Sequence, residues 1–303
     1  MTVVTVTPNP SLDRTLEVEA LTRGEVLRAG ATHLDAGGKG VNVSRALVAN
    51  GHPSRAVLPL GGFEGEHLAS LLDELGIEVV VVPIAEPNGS VTKLNAPGPT
   101  VSDAEIGALL DGTVRAARGA AWVAGCGSLP PGAPEDLYAR LVTAIRNVGV
   151  HVAVDTSGAA LEAVLPSGPD LLKPNRDELA AVSGTPVETL GDVIAGAEKL
   201  RSYGVRAVLV SLGADGAVLV EDAGAVHAET PAIVPRTTVG AGDALLAGFL
   251  SAGGQGPEAL AEAVAWGAAA CRLPGTAMPG PDDLDRSGVE VHPVDPARPL
   301  RRA

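Results

Sequence analysis

Short runs dense in Val alternate along the chain with longer segments whose apolar positions recur every three or four residues, and this alternation predicts strands followed by helices. The run VVTVTPNP predicts a first strand ending in a turn, and RAVLPLGG, IEVVVVPIA, AWVAG, HVAVDT, DLLKPN and RAVLVSLG predict further strands. GAVLVEDAGAVHAE reads as a hairpin. Between these runs, GGKGVNVSRALVANG predicts an amphipathic helix that stops at Gly51, and GEHLASLLDELG, PEDLYARLVTAIRNVG and TLGDVIAGAEKLRSYG predict others. SDAEIGALLDGTVRAARG opens with Ser102 and Glu105 at capping-box spacing. Helices from Gly242 and from Pro257 complete the body. Buried parallel strands covered on both faces by helices account for this order, so the expected fold is a three-layer α/β/α arrangement. The polar alternating pieces near 15–36 and 84–96 do not suit a buried central sheet. They are expected to form a small second layer over the strand ends, where ligands bind open α/β sheets. The last stretch, PGPDDLDRSGVEVHPVDPARPLRRA, is rich in Pro and charge and is expected to trail over the surface.

Composition sharpens this picture in two ways. Hydrophobic residues make up 46% of the 303 positions but aromatics only 2%, so the core must be built from Val, Leu, Ile and Ala. The formal charge of −14, with no Lys/Arg stripe, argues against nucleic acid or an anionic membrane as a partner. A small anionic substrate is still compatible, because a few local cations and helix N-termini can bind phosphate against an unfavourable net charge. MTVVTVTPNP has no basic region followed by an apolar one, and no apolar run approaches a membrane span, so the expected setting is the cytoplasm. Cys126 and Cys271 are far apart and lack metal-ligand spacing, which reads as two buried thiols.

The chemistry-bearing residues cluster at predicted strand ends and helix starts. Asp13 follows the first strand, GGKG opens the first helix, GSLPPG follows AWVAG, and Asp155 ends HVAVDT. KPN, SLGADGA and TTVGAGDALLAGFL occupy equivalent places. In the last of these, Gly240, Ala241 and Gly242 precede Asp243 at a helix start, where successive N–H groups form an anion site. A Walker A loop would carry Lys and then Ser or Thr there, and this stretch has neither.

Taken together, TPNPSLDRTLEV, GGKGVNVSRAL, LNAPGP, GSLPPG, DTSG, KPNRDEL, SLGADGA and TVGAGD resemble the ribokinase-like (PfkB) carbohydrate kinases, in the branch that acts on hexose phosphates. The resemblance spans almost the whole chain. It implies one ribokinase-like kinase domain over 1–303, with lid segments at about 15–36 and 84–96. It also implies ATP-dependent phosphorylation of a sugar phosphate. TPNPSLDRT with Arg14 is more similar to the 1-phosphofructokinases than to the tagatose-6-phosphate kinases, which favours conversion of fructose 1-phosphate to fructose 1,6-bisphosphate.

By the same resemblance, Asp243 is the base for the sugar hydroxyl, and the N–H groups of Gly240, Ala241 and Gly242 face the charge developing on the transferred phosphoryl group. Asp13, Gly37, Gly38, Lys39 and Asn42 match sugar-binding positions. Lys173, Asn175, Ser211, Gly213 and Gly216 match the nucleotide side, with the adenine between the SLGADGA loop and the helix around Gly267. Asn175 and Glu178 would organise Mg²⁺ through water. Plainer readings exist for single residues: Asp243 as a helix cap, Asn42 as a polar residue on an exposed helix face, Asn175 and Glu178 as a turn and cap, and SLGADGA as a hairpin turn.

One departure matters. The family places a strand containing Thr-Arg between VVVVP and the strand matched here by SVTKLN, and that Arg contacts the sugar phosphate. IEVVVVPIAEPNGSVTKLNAPGP runs straight from one to the other, and Lys93 is the nearest cation. Weaker acceptor binding and altered activity are therefore expected, together with doubt over a homodimer formed through the shortened lid. Tagatose 6-phosphate and fructose 6-phosphate are alternative acceptors, and a non-catalytic sugar-phosphate sensor is an alternative function. A nicotinamide dehydrogenase lacks support, because no G-x-G-x-x-G follows the first strand.

Overall fold

A computed structural model describes the chain except at positions 18, 19, 21, 25, 27, 92–97 and 302–303. Val3–Val6 (β1) is buried along its whole length, as an apolar run must be when helices cover both faces of a sheet. The chain then leaves the central sheet for Ser11–Glu17 (β2) and Ala31–Gly37 (β3), which pair antiparallel with Asp13 opposite Asp35. Lys39–Ala49 (α1) returns it to Ser54–Leu60 (β4) beside β1. Gly62–Glu74 (α2) and Glu78–Pro83 (β5) repeat that parallel crossover, and Ser90–Val91 (β6) adds to β2.

Asp103–Ala116 (α3) starts in the expected capping box and leads to Trp122–Cys126 (β7), on the opposite side of β1 from β4. Leu137–Arg146 (α4), His151–Asp155 (β8), Gly158–Val164 (α5) and Leu171–Leu172 (β9) follow. Arg176–Ser183 (α6), Leu190–Arg201 (α7) and Ala207–Ser211 (β10) continue the sheet. Ala217–Glu221 (β11) and Gly224–Glu229 (β12) form the expected hairpin. Ala241–Ser251 (α8), Gly256–Arg272 (α9) and Glu290–Pro293 (β13) end the chain.

The large sheet has the order β13-β12-β11-β10-β9-β8-β7-β1-β4-β5, and the small one the order β3-β2-β6. One face of the large sheet packs Ile106, Leu141, Leu161, Leu179 and Val193 from α3 to α7. The other packs Val43 and Leu47 of α1 with Phe249 of α8 and Trp266 of α9, and a satellite core joins Val41 to Leu68 and Leu72 of α2. This is the three-layer α/β/α arrangement. Strand order reverses at β1, between β4 and β7, so the crevice beyond its C-terminal end is the place where such a sheet binds ligands. No helix among the described residues is long and apolar enough to cross a membrane.

Two expectations fail. Helix α5 intervenes between HVAVDT and DLLKPN, which the sequence reads as strands in succession, while α6 follows DLLKPN from the cap that Asn175 and Glu178 provide. The two helices span seven and eight residues, too short to show a clear 3.6-residue period. The C-terminal stretch does not trail over the surface. It adds β13 to the sheet, buries Leu300 to 8% exposure, and bonds the Leu300 N–H to the Glu188 carbonyl at 2.8 Å.

The physical reason is a buried acid. Asp215 is 3% exposed, and its Oδ2 accepts the Arg301 N–H at 2.8 Å while Arg301 Nε and Arg298 Nη2 lie 3.4 and 3.7 Å from its Oδ1. Arg298 also grips Glu229 through two bonds of 2.7 and 2.6 Å. Deleting residues 297–303 therefore strands the Asp215 charge without its cations. Urea unfolding of the truncated chain should show a loss of about 3 kcal/mol, the low end for breaking a buried pair because the Arg heads are partly exposed. An unchanged midpoint would contradict this role for the tail.

Candidate active site

The parallel strands bring their C-terminal ends to one edge, so residues distant in sequence meet there. Asp155 ends β8, Lys173 follows β9, Cys126 ends β7, and α1 and α8 begin at the same level. Asp243 lies in the first turn of α8 and is 6% exposed. Gly240, not Asp243, takes the N-cap position, with a φ of 79° that favours glycine. The Asp243 side chain instead accepts a hydrogen bond from Asn42 Nδ2 at 2.9 Å. The ordinary-cap reading of Asp243 is thereby set aside. So is the reading of Asn42 as an exposed polar residue, since it is 6% exposed.

Asp155 is the electrostatic centre. Its side chain is fully buried, with Lys39 Nζ at 2.8 Å from Oδ1 and Lys173 Nζ at 3.0 Å from Oδ2. Burial works against its charge, but the two ammonium groups outweigh that and hold its carboxyl below the ordinary range. Burial also opposes the charge of Lys39, yet the Asp155 carboxylate raises its pKa overall. Asp243 behaves in the opposite way. Burial, reinforced by repulsion from Asp155, pushes it up to about 6, against the Asn42 bond and the two lysine charges. Two carboxylates in one site are thus split, one held ionised and the other poised near neutrality.

At the start of α8, no backbone bond within the described residues takes up the Gly240 and Gly242 N–H groups, while the Ala241 N–H points at the Thr238 carbonyl over a long 3.4 Å. A Cβ at Gly242 would sit 3.4 Å from Lys173 Nζ, so the ammonium lies against the helix start. The structure therefore sets donors and one buried cation side by side, an arrangement suited to an anion.

On the other side, Gly37 leaves room for the Asp13 carboxylate, which lies where a Cβ would stand and would have to shift for any larger residue. Gly38 has a φ of 112°. Asp13 accepts a hydrogen bond from Ser11 Oγ at 2.7 Å, and burial raises its pKa. Gly38 and Lys39 line a cleft of about 1010 Å³ with Asn9, Ser11 and Ser128, beneath the small sheet.

Asn175 and Glu178 form a reciprocal cap at the start of α6: Glu178 N–H donates to Asn175 Oδ1 and Asn175 N–H to Glu178 Oε2, both at 2.8 Å. Ser211 ends β10 and bridges to Asn175 in parallel. Gly213 opens, and Gly216 follows, the short 3₁₀ turn that contains Asp215. Gly267 is buried, with Ala241 and Leu245 of α8 against the position of a Cβ, so here it serves helix packing. Lys93 and most of LNAPGP lie outside the described residues.

Sequence reasoning marked Asp155 only as a strand end, and missed that it joins the two lysines. Its signal is an acid closing the apolar run VAV of β8. Arg45 and Asp215 were missed altogether.

Residues 7–283 match the pfkB family carbohydrate kinases. The chain is 42% identical over 263 residues to the 1-phosphofructokinase of Rhodobacter capsulatus, covering 82% of this chain and 83% of that enzyme. It is 35% identical over 299 residues to the ATP-dependent 6-phosphofructokinase isozyme 2 of Mycobacterium tuberculosis, covering 94% of this chain and 88% of that one. Among solved structures, phosphofructokinase-2 from Escherichia coli in complex with substrates and products superposes with a TM-score of 0.85 at 31% identity, over 93% of this chain and 97% of that one.

Proposed function

The chain belongs to the pfkB family of carbohydrate kinases, and from that premise we propose that it transfers the γ-phosphoryl group of ATP to fructose 1-phosphate, yielding fructose 1,6-bisphosphate and ADP. The observation that carries the reading is Asp243, buried at the start of α8, oriented by Asn42 and poised at about 6. A base with a pKa just below the working pH is mostly ionised yet still takes a proton. Asp243 accepts the proton of the acceptor hydroxyl as its oxygen attacks the γ-phosphorus. The bond from that phosphorus to the bridging oxygen breaks, and ADP leaves with the electron pair. The N–H groups of Gly240 and Gly242 and the Lys173 ammonium face the charge on the transferred group. Asp155 holds Lys173 and Lys39 charged and in place.

Asp13, Gly37, Gly38, Lys39 and Asn42 form the acceptor side, with Lys39 keeping two of its three ammonium protons for the sugar phosphate in the cleft. Ser211, Gly213 and Gly216, with Asn175, form the nucleotide side. The donor set also fits Mg²⁺. Glu178 offers a hard carboxylate oxygen near Lys39, the kind of donor that Mg²⁺ takes. Asn175 and Glu178 would hold it through water, and bound there it would neutralise phosphate charge. We also propose a homodimer contact on the small sheet, where Leu16 is 44% exposed.

The test is ADP release with Mg·ATP against fructose 1-phosphate, fructose 6-phosphate, tagatose 6-phosphate and free fructose. Turnover should be fastest on fructose 1-phosphate. Its KM should be raised, because residues 84–101 contain no arginine and Lys93 is the sole cation there. The M. tuberculosis relative makes fructose 6-phosphate the second candidate. Tight sugar-phosphate binding without ADP release would favour a sensor instead, and a KM as low as that of a lid bearing the arginine would contradict the cost assigned to its loss.

A further inference from the structure

Arg45 lies one turn beyond Asn42 on α1, with a side chain only 11% exposed. A buried guanidinium must spend its donors, and these go to two places. Nη1 donates to Asn42 Oδ1 at 3.3 Å and to the Ala36 carbonyl of β3 at 3.2 Å, while Nη2 reaches Asp35 Oδ1, also on β3, at 3.5 Å. Asn42 spends its other end on Asp243, Nδ2 to Oδ2 at 2.9 Å. A carboxamide has one donor end and one acceptor end, so fixing the oxygen fixes the NH₂ group. A continuous line of contacts therefore runs from the small sheet through Arg45 and Asn42 to the base.

We propose that Arg45 is a positioning residue for the reaction, holding the Asn42 carboxamide so that its NH₂ group faces Asp243 and tying that contact to strand β3 of the small sheet. This rests on the reading of Asp243 as the base. Without Arg45 the carboxamide can turn its oxygen toward the carboxylate, which repels it and removes the one hydrogen bond that favours the ionised form. The other groups facing Asp243 are unchanged by the substitution: Asp155 from β8, Lys173 after β9, Lys39 from α1 and the Cys126 thiol at the end of β7. The charges beside Arg45 itself are Asp35 and Asp13 of the small sheet. Loss of the guanidinium also acts on these, and the acceptor KM reports that separate effect.

The experiment compares wild type, Arg45→Met, Arg45→Lys, Asn42→Ala and the double variant Arg45→Met/Asn42→Ala. Arg45→Met should lower kcat by about 10- to 100-fold, the size of a misplaced catalytic group, with KM for ATP unchanged. The acid limb of its kcat profile should move to higher pH, and Arg45→Lys should recover part of both losses. In the Asn42→Ala background the Arg45 substitution should have no further effect on kcat, because its route to the base is already cut. A loss that multiplies undiminished in that background, or one confined to thermal stability and acceptor KM, overturns the proposal. The carboxyl titration of Asp243, followed by ¹³C NMR in wild type and Arg45→Met, separates the two failures. If the wild type phosphorylates no sugar, the kinase reading falls, and an unshifted Asp243 titration refutes the Arg45 contact by itself.

Discussion

Replacing Asp243 by Asn is expected to lower kcat on fructose 1-phosphate by about 10²- to 10⁴-fold, the range for removal of a positioned general base. Asn42 can still donate to the new carboxamide oxygen, and the start of α8 is untouched, so the KM for ATP should change little. The same substitution should stabilise the protein at neutral pH. In the folded chain, burial and Asp155 lift Asp243 from 3.8 to about 6. Between those values the folded state binds more protons than the unfolded state, so stability falls as pH rises across the window and stays lower above it. Asn removes that cost. The gain is on the order of 1–3 kcal/mol above pH 6 and vanishes below about pH 4. Urea unfolding at pH 4 and pH 7.5 checks it. A variant that is inactive yet no more stable than the wild type at pH 7.5 would show that Asp243 is not held under electrostatic stress.

Replacing Asp155 by Ala should be the most destabilising change at the site, with a loss of about 3–5 kcal/mol in urea unfolding, because it leaves buried charge without its partner. Lys173 is 4% exposed and has Asp155 Oδ2 at 3.0 Å, whereas Lys39 is 38% exposed and can turn to water. The order of destabilisation should therefore be Asp155→Ala, then Lys173→Met, then Lys39→Met. Lys173→Met is milder because Asp155 keeps Lys39 at 2.8 Å. Activity should fall in all three, since Lys173 lies against the helix start and Lys39 at the cleft. Uniformly small stability losses in the three variants would mean that the pairs are worth little and that the site is wetter than its burial implies.

Most of the architecture is legible because strong local patterns agree with it. The runs VVTV, AVLV and WVAGC announce strands buried on both faces, and capping residues such as Ser102 and Glu105 mark a helix start without tertiary information. The convergence of GGKG, KPN, SLGADGA and TVGAGD on strand ends also points to the edge of the sheet where Lys39, Lys173 and Asp243 gather around Asp155. What escaped depends on pairings across long sequence distances. Asn42 is marked in the sequence as an acceptor-side residue, but nothing local shows that it meets Asp243 some two hundred residues later. The C-terminal stretch has the composition of a loose tail, and only the buried Asp215 explains why Arg298 and Arg301 dock there. Asp155 was visible as an acid at a strand end, but its grip on Lys39 and Lys173 required knowing that β8 lies between β7 and β9.

The most direct test of Asp243 as the base is the pH dependence of kcat with saturating ATP and fructose 1-phosphate, measured for wild type and for Asn42→Ala. The ionised carboxylate, held at about 6 before ligands bind, is the active form, so kcat should rise through a single acid limb in the wild type. In Asn42→Ala that limb should move to higher pH, since the bond that favours the ionised form is gone. A rate that is flat with pH, or a limb that stays in place when Asn42 is removed and so belongs to the substrate phosphate, would contradict the assignment.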